Sequence, residues 1–404
     1  MPALDLVSFS AALKEHYMPM RVEDMVYQDH PFMALVPKYK KFGGINLPIP
    51  IKYGNPQGRS SDFATAKTNK VAGRYERFVL TRDKDYSLAD IDNETLEASM
   101  GDRNAFMEAS TTEIDAALDS LSRSLATALY RTGSGSIGQI ASGATVVGTA
   151  VVELEELEDI TNFEVGQVIE VSTTDGGGAL KTSPKTIIAV DRDNGTFTVD
   201  SNLDSVAGQE WATSDYLFVD GDYDAKIKGL GAWVPSTAPT ATAFFGVDRT
   251  VDTRLGGLRL DVSDRPIEEG LIDGANRVAR EGGRPDMAFQ DFTDYGNLQK
   301  ALGTKVRYVD LKANARIGFQ GIMIDGPRGM INVIPDQDAV PGRTFMVQMD
   351  MFKLYSLNEP VRILNLDGLR VLRNSTEDSI EVRCGYYAQL GCNAPGWNIN
   401  LQTR

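Results

Sequence analysis

Side chains able to do chemistry are sparse in this sequence, and their spacing speaks against catalysis. Histidine occurs at His16 and His30, each set among packing or turn residues. A metal cluster or a Ser-His-Asp relay needs an imidazole close to acidic or nucleophilic partners, and no HExxH, GxSxG, CxxC or Walker pattern is present. Carboxylates are plentiful, with 56 Asp and Glu, so the sequence singles out no catalytic pair. Gly133, Gly135 and Gly138 spell G-x-G-x-x-G. That fingerprint cradles a pyrophosphate only where a strand feeds the glycine turn and a helix receives the phosphates. Here a helical stretch comes first and a β-rich stretch follows, which predicts a flexible linker instead. Asp220, Asp222 and Asp224 have the i, i+2, i+4 spacing that opens a calcium loop. Ala225 stands where that loop needs glycine and Gly231 where it needs a bidentate glutamate, so a solvated acidic turn is expected. Cys384 and Cys392 read as two buried hydrophobes in a reducing compartment, not as a disulfide framework. The expectation is a chain that is no enzyme and uses no metal or cofactor.

Composition narrows the classes further. With 404 residues, 42% of them hydrophobic, the chain can bury more than one core, and two or three domains are expected. No apolar run reaches the roughly 18 residues of a membrane helix, and the first residues are too polar and acidic for a signal peptide. The chain is expected to be made and used in cytoplasm. A net charge of −15 argues against tight binding of nucleic acid, which relies on Lys and Arg against phosphates.

The elements that must position anything else are organised around residues 93–130. Leu96, Met100, Met107, Ile114, Leu118, Leu121, Leu125 and Leu129 recur at three, four or seven residues, the stripe of one amphipathic helix without proline. At 1.5 Å per residue it would be a rod of roughly 57 Å, with a break into two helices near Gly101 as the alternative. Before it, residues 1–40 begin with a short helix over 3–15. They continue as an arm whose Met25, Val26, Phe32, Leu35 and Val36 must lie along another surface, its own or a neighbour's. Alternation of Ile45, Leu47, Ile49 and Ile51 with Pro48, Pro50 and Lys52 then predicts a strand confined to an edge or a ribbon. Its return is GRYERFVLTRDKDYSLADI, and the polar tip between carries one isolated Phe63. Such a ribbon is marginal alone and must be held by contacts outside itself.

Beyond the long helix, residues 143–222 form a β-rich block with a tight turn at Asn194-Gly195, enough for a small barrel or sandwich inserted into a larger domain. Its opening piece VELEELEDI looks helical. A mixed α/β region follows, with helices over 266–281 and in TDYGNLQKAL, and the last 45 residues alternate as antiparallel strands fit to cover the long helix.

This order of elements resembles the major capsid proteins of tailed bacteriophages, with their Hong Kong 97-type fold. The segment from Arg21-Val-Glu-Asp-Met-Val-Tyr27 through Pro31-Phe-Met-Ala-Leu-Val-Pro-Lys38 to Phe42-Gly-Gly44 looks like that family's arm entering its extended loop. Met330-Ile-Asn-Val-Ile-Pro-Asp336, Pro341 and Phe345-Met-Val-Gln-Met-Asp350 resemble its axial-domain strand, turn and strand. The resemblance implies an α+β fold divided as arm 1–40, extended loop 41–91, peripheral domain with spine helix 92–132, linker 133–142, inserted β domain 143–222, axial domain 223–357 and peripheral strands 358–404. It implies hexamers and pentamers of one protein closing an icosahedral shell around double-stranded DNA, assembled in a bacterial cytoplasm. Portal, scaffold and decoration proteins are the further partners it suggests. Arg59, Asp62, Phe63, Lys67, Lys70 and Arg74 at the loop tip would then be assembly contacts. An encapsulin-like compartment shares the fold. Autocatalytic Lys to Asn links, as some shells make, would draw on Lys67 or Lys70 with Asn374 or Asn393, but no glutamate matches the supporting position, and ordinary surface roles are expected.

Overall fold

The computed structural model describes residues 29–92, 103–303, 308–312, 318–365, 368, 371–373 and 378–404. The expected helix over 3–15, His16, Met25, Val26, the possible break at Gly101 and Asn374 lie outside them. The first elements are helix α1 (Pro31–Leu35), strands β1 (Lys38–Tyr39) and β2 (Asn46–Gly54), helix α2 (Phe63–Thr68), strands β3 (Arg74–Thr81) and β4 (Asp83–Asp92), and helix α3 (Arg103–Tyr130).

Helix α3 runs for 28 residues without proline or glycine, so its hydrogen-bond ladder is unbroken. Its stripe of Ile114, Leu118, Leu121, Leu125 and Leu129 is buried, as the 3.6-residue period requires. The stripe packs on a six-stranded sheet built around β20 (Ser379–Cys392). Strand β4 pairs along one edge of β20; β17 (Phe352–Ser356), β18 (Arg362–Ile363) and β19 (Leu372–Arg373) pair along the other, with β1 parallel beyond β17. Even-numbered side chains of β20, from Ile380 to Cys392, all point into this core, the period of two expected of a strand with one covered face. Each such large apolar side chain contributes about 1.5–3 kcal/mol by leaving water.

After α3 the chain enters a second core. Strands β5 (Ser136–Gln139), β6 (Val151–Glu153), β7 (Val168–Ser172), β8 (Lys185–Asp191), β9 (Thr196–Val199) and β10 (Tyr216–Val219) form one sheet in the order β5-β10-β7-β8-β9-β6. Its two ends meet through Ala141 N–H to Glu153 O (2.8 Å) and Glu155 N–H to Gln139 O (2.9 Å), so the sheet closes into a small barrel. The barrel has its own interior, in which Phe163 and Phe197 stack at 4.7 Å around Trp211 and Leu217. Gly195, at φ +64, makes the expected β8–β9 turn. The helical reading of VELEELEDI is corrected: β6 and a 3-10 turn over Leu157–Asn162 occupy it, because Val152 and Leu154 are needed inside the barrel.

The remaining body is a seven-stranded mixed sheet. It is built from β11 (Leu258–Asp261), β12 (Met287–Gln290), β13 (Tyr308–Lys312), β14 (Gly318–Gly326), β15 (Gly329–Pro335), β16 (Arg343–Val347) and β21 (Ile399–Gln402), in the order β11-β21-β16-β12-β15-β14-β13. Helix α4 (Leu230–Trp233) precedes it, and α5 (Ile267–Arg280) and α6 (Phe292–Leu302) cover one face. Alternation divides the sheet between two cores: Ala288, Val333, Met346, Ile399 and Leu401 face α5 and α6, while Phe289, Ile334, Phe345 and Val347 join the core of α3.

Several expected boundaries move. The linker 133–142 contains barrel strand β5, and β4 leaves the extended loop for the sheet of β20. Strand β17 joins that same sheet, whereas β21 returns to the mixed sheet between β11 and β16. Alternation identifies strands but does not say which sheet takes them; the pairing partners, far away in the chain, decide that.

Candidate assembly surfaces

Strands β2 and β3 pair from Asn46 with Thr81 to Gly54 with Arg74, and the two halves of this ribbon differ. Its root is fixed in the main core. Ile49, Phe78 and Leu80 are buried, Phe78 meets Trp233 edge to face at 5.0 Å, and Val79 N–H donates to Phe245 O at 2.9 Å. The root crosses β20 at Gly391, where any Cβ would stand 2.6–2.9 Å from Tyr355, Leu80 and Ile49. The expectation of a ribbon without support in its own chain is therefore corrected for this half, since Trp233, Phe244 and Phe245 come from far along the sequence.

The outer half matches the expectation of a polar tip. A bridge between Gln57 and Val71 precedes α2, whose N-cap Asp62 accepts from Thr65 N–H and Oγ–H, both at 2.8 Å. Those bonds, the backbone one foremost, hold the Asp62 carboxyl below its ordinary range. No residue of α2 is buried, and Phe63 is 83% exposed. Arg59, Asp62, Phe63, Lys67, Lys70 and Arg74 are all exposed and gathered at this end. Residues 52–77 carry six Lys or Arg against two acids, whereas residues 83–123, spanning β4 and most of α3, carry eleven acids against three bases.

The described end of the arm, from residue 29 on, is held far more tightly than its sequence suggests. Phe32 packs against Tyr130 (5.4 Å) and Phe289 (5.1 Å), and its N–H donates to Asp336 Oδ2 at 3.0 Å. Tyr130 O–H donates to the same oxygen at 2.7 Å, and His30 Nδ1 lies 2.5 Å from Asp338 Oδ2. Burial beside Asp338 lifts the Asp336 carboxyl to about 7; for His30 burial is the largest influence and lowers the pKa, but the bond to Asp338 and the charges of Asp338, Asp336 and Asp29 together raise it. Sequence reading missed Asp336 and Asp338. The signal available was an Asp-x-Asp pair directly after the strand that ends at Pro335.

The barrel is fastened at its joints. Gly135, at φ +89, lies so close to Asp222 O that a Cβ would stand 2.3 Å from it, and Gly133 is pressed on Lys228 in the same way. The expected flexible linker is thus a tight crossing of the barrel's entering and leaving strands. Asp175 accepts from Ser134 (2.5 Å) and Ser136 (2.7 Å) across it. The three aspartates of the apparent calcium pattern do not converge: Asp222 pairs with Lys226 at 3.0 Å and Asp224 accepts from Gly177 N–H at 2.9 Å. Burial, partly offset by Lys226, pushes Asp222 up to about 6. Arg404 reaches Glu158 of the barrel at 3.3 Å and Asp294 of α6 at 3.2 Å, tying two bodies together.

Among the described residues, no group of three His, Cys, Asp or Glu could hold a metal ion, and no helix is long and apolar enough to cross a membrane. Cys384 and Cys392 are buried and unpaired, and burial pushes the Cys384 thiol up to about 12. Lys67, Lys70 and Asn393 are exposed, without the water-poor pocket that an amide-forming lysine needs.

No family model matches the sequence, and no curated protein matches it. Solved structures do. The capsid of cyanophage A-1(L) aligns over 93% of this chain and 93% of its own, at 13% identity and a TM-score of 0.50. The capsid of Myoviridae phage XM1 aligns over 93% and 92% at 10% identity and 0.43, and the SrpI encapsulin complex of Synechococcus elongatus over 97% and 94% at 8% identity and 0.44. The cyanophage match spans nearly the whole of both chains, so this protein, with its long helix, extended ribbon and mixed sheet, has the α+β fold of the tailed-phage major capsid proteins, the Hong Kong 97-type fold.

Proposed function

We propose that this chain is a capsid shell subunit which assembles with itself as hexamers and pentamers into an icosahedral shell around double-stranded phage DNA. The observation that carries this reading is the outer half of the ribbon, a basic extension with exposed Phe63 and no core of its own, on a fold shared with a phage capsid. Such a tip has no structural use within the protomer. Against the acid-rich flank of β4 and α3 on a second copy, its charge is complementary and its Phe63 can leave water. The chain is acidic overall, with a net charge of −15, which suits a wall that encloses DNA without gripping it. In this reading the chain has no catalytic role and makes no covalent links between copies. Shell growth would call on portal and scaffold proteins, with a decoration protein as a further partner, in the cytoplasm of a bacterial host.

An encapsulin-like compartment is the second reading, since the order of elements that resembles phage capsid proteins is shared by that class of shell. Electron microscopy of the purified protein, followed by nuclease treatment and analysis of the contents, tests both. Closed shells containing nuclease-protected DNA are expected. Shells filled with an enzyme would overturn the DNA reading, and a lasting monomer would overturn the shell.

A further inference from the structure

Arg249, Arg259 and Arg277 lack any carboxylate partner among the described residues. Arg249 lies over the Phe244 ring at 4.1 Å and donates from Nη1 to Ala232 O at 2.6 Å, which leaves its Nε–H buried with no acceptor. Arg259, on β11, gives its protons to the carbonyls of Pro235, Gly256 and Gly257. Arg277 projects from α5 and is exposed. Arg254 nearby shows the contrast: Asp252 holds it at 2.7 Å, and its Nη2 also reaches Tyr53 O of the ribbon at 3.0 Å.

Carbonyl dipoles can solvate a guanidinium, but they do not cancel its charge. Burial and then Arg259 bring Arg249 down to about 10, and burial with Arg277 lowers Arg259 in turn, so the charges repel in sequence. A protein with 15 surplus negative charges has no general shortage of acids to place there. Leaving the partly buried guanidiniums of Arg249 and Arg259 without a carboxylate costs the isolated protomer stability, and the natural relief is an anion supplied from outside it.

We propose that Arg249, Arg259 and Arg277 form a docking site for side-chain carboxylates of a second copy of this chain. The inference rests on the shell reading. Charge complementarity favours this occupant, since β4 and α3 expose Asp90, Asp92, Glu113 and Asp119 on the same chain. The place favours it too: β11 is the end strand of its sheet, with no strand on its outer side among the described residues, and the basic ribbon leaves the molecule beside it. Nucleic-acid phosphate is the less fitting anion, because the chain as a whole repels a polyanion.

The test uses Arg277→Lys, which keeps the charge on an exposed site and introduces an amine that a carbodiimide can join to a carboxylate. Particles are assembled from equal parts of isotopically light and heavy protein, treated with the carbodiimide and digested. Peptides joining position 277 of one label to an Asp or Glu of the other are expected, and wild-type particles should lack them. Links within one label only, or none, overturn the proposal while leaving the shell reading intact. If the wild type forms no shells, the shell reading fails, and the same mixed-label measurement on whatever oligomer exists still decides the proposal. As a second measurement, Arg277→Glu should leave protomer melting unchanged and reduce assembly about tenfold at physiological salt. Unchanged assembly with weakened binding to duplex DNA would show that phosphate is the ligand and refute it.

Discussion

Helices α1 and α2 are both a single turn or so long, and they meet opposite fates. In α1 three of five residues are buried, and in α2 none of six. The difference begins with side chains. Residues 31–36 offer Pro31, Phe32, Met33 and Val36, enough to cover one side of a turn, while the tip offers Phe63 among Ala, Thr, Asn and Lys. It continues with the wall each one meets: Tyr130, Phe289 and two buried aspartates receive α1, and no buried apolar wall among the described residues receives α2. A short helix stays put when its apolar side and its backbone protons are both answered, because neither alone offsets the entropy of ordering it. On this view α1 belongs to the protomer and α2 to the assembly.

The comparison can be broken most directly by removing the wall. Leu121 is 2% exposed in the middle of the stripe, and Leu121→Asp would leave a buried carboxylate unpaired at a cost of several kcal/mol. No soluble protomer should be recovered; Ile114→Asp should behave likewise. Normal yield and normal melting would mean that α3 is not the wall that α1 needs. Next in size is Phe32→Ala, which empties a fully buried aromatic site and should destabilise the protomer by about 3–5 kcal/mol in denaturant titration. A loss below about 1 kcal/mol would place α1 with α2 as a segment of little consequence to the fold.

Much of this contrast was legible in the sequence, and the missing part has a physical cause. The stripe of α3, the proline-marked ribbon, the Asn194-Gly195 turn and α5 follow from periods and turn chemistry within a dozen residues. The polar tip with Phe63 was legible for the same reason. What could not be read was pairing across distance. His30 and Asp338 are 308 positions apart, Phe78 and Trp233 are 155 apart, and β21 skips past β20 to a different sheet. The buried acids of the arm site looked like ordinary turn residues, because a carboxylate after a strand is solvated far more often than it is buried.

A smaller effect separates the two helices by pH. His30 has a raised folded pKa, so its contribution is complete below the ordinary value of 6.5 and is lost as pH rises through the raised one. Asp336 is lifted from 3.8 to about 7, so its protonated form is the one the fold favours, and that contribution also fades as pH rises towards 7. Both signs agree: the arm is held best in mild acid and loosens in mild alkali, by on the order of 1–3 kcal/mol. Protection factors of the Phe32, Met33 and Ala34 amides should fall between pH 5.5 and pH 8.5, and Asp336→Asn, which stays neutral, should flatten most of that change. Equal protection at both pH values in the wild type would remove the pH argument, though not the packing argument.

The smallest expected change to the protomer comes from the largest cut. Deleting residues 55–72, with a short Gly-Ser turn joining Gly54 to Gly73, removes the whole of α2 and both partners of the Gln57–Val71 bridge. It removes no buried side chain, because every residue in that span is exposed or half-exposed. The root keeps Ile49, Phe78 and Leu80 in the core, and β2 still pairs with β3 up to Gly54 and Arg74. Shortening the loop also lowers its closure entropy slightly, by a few tenths of a kcal/mol, so melting should move by no more than a degree or two. Shell formation should nevertheless stop. The deletion takes away Arg59, Lys67, Lys70, Phe63 and Val71, the charges and the exposed large apolar side chains that a neighbouring copy would cover. A folded protomer that no longer assembles would assign α2 to the contacts between copies. Wild-type particles from the deleted protein would show that the tip is idle, and a protomer that melts much earlier would show that it serves the fold after all.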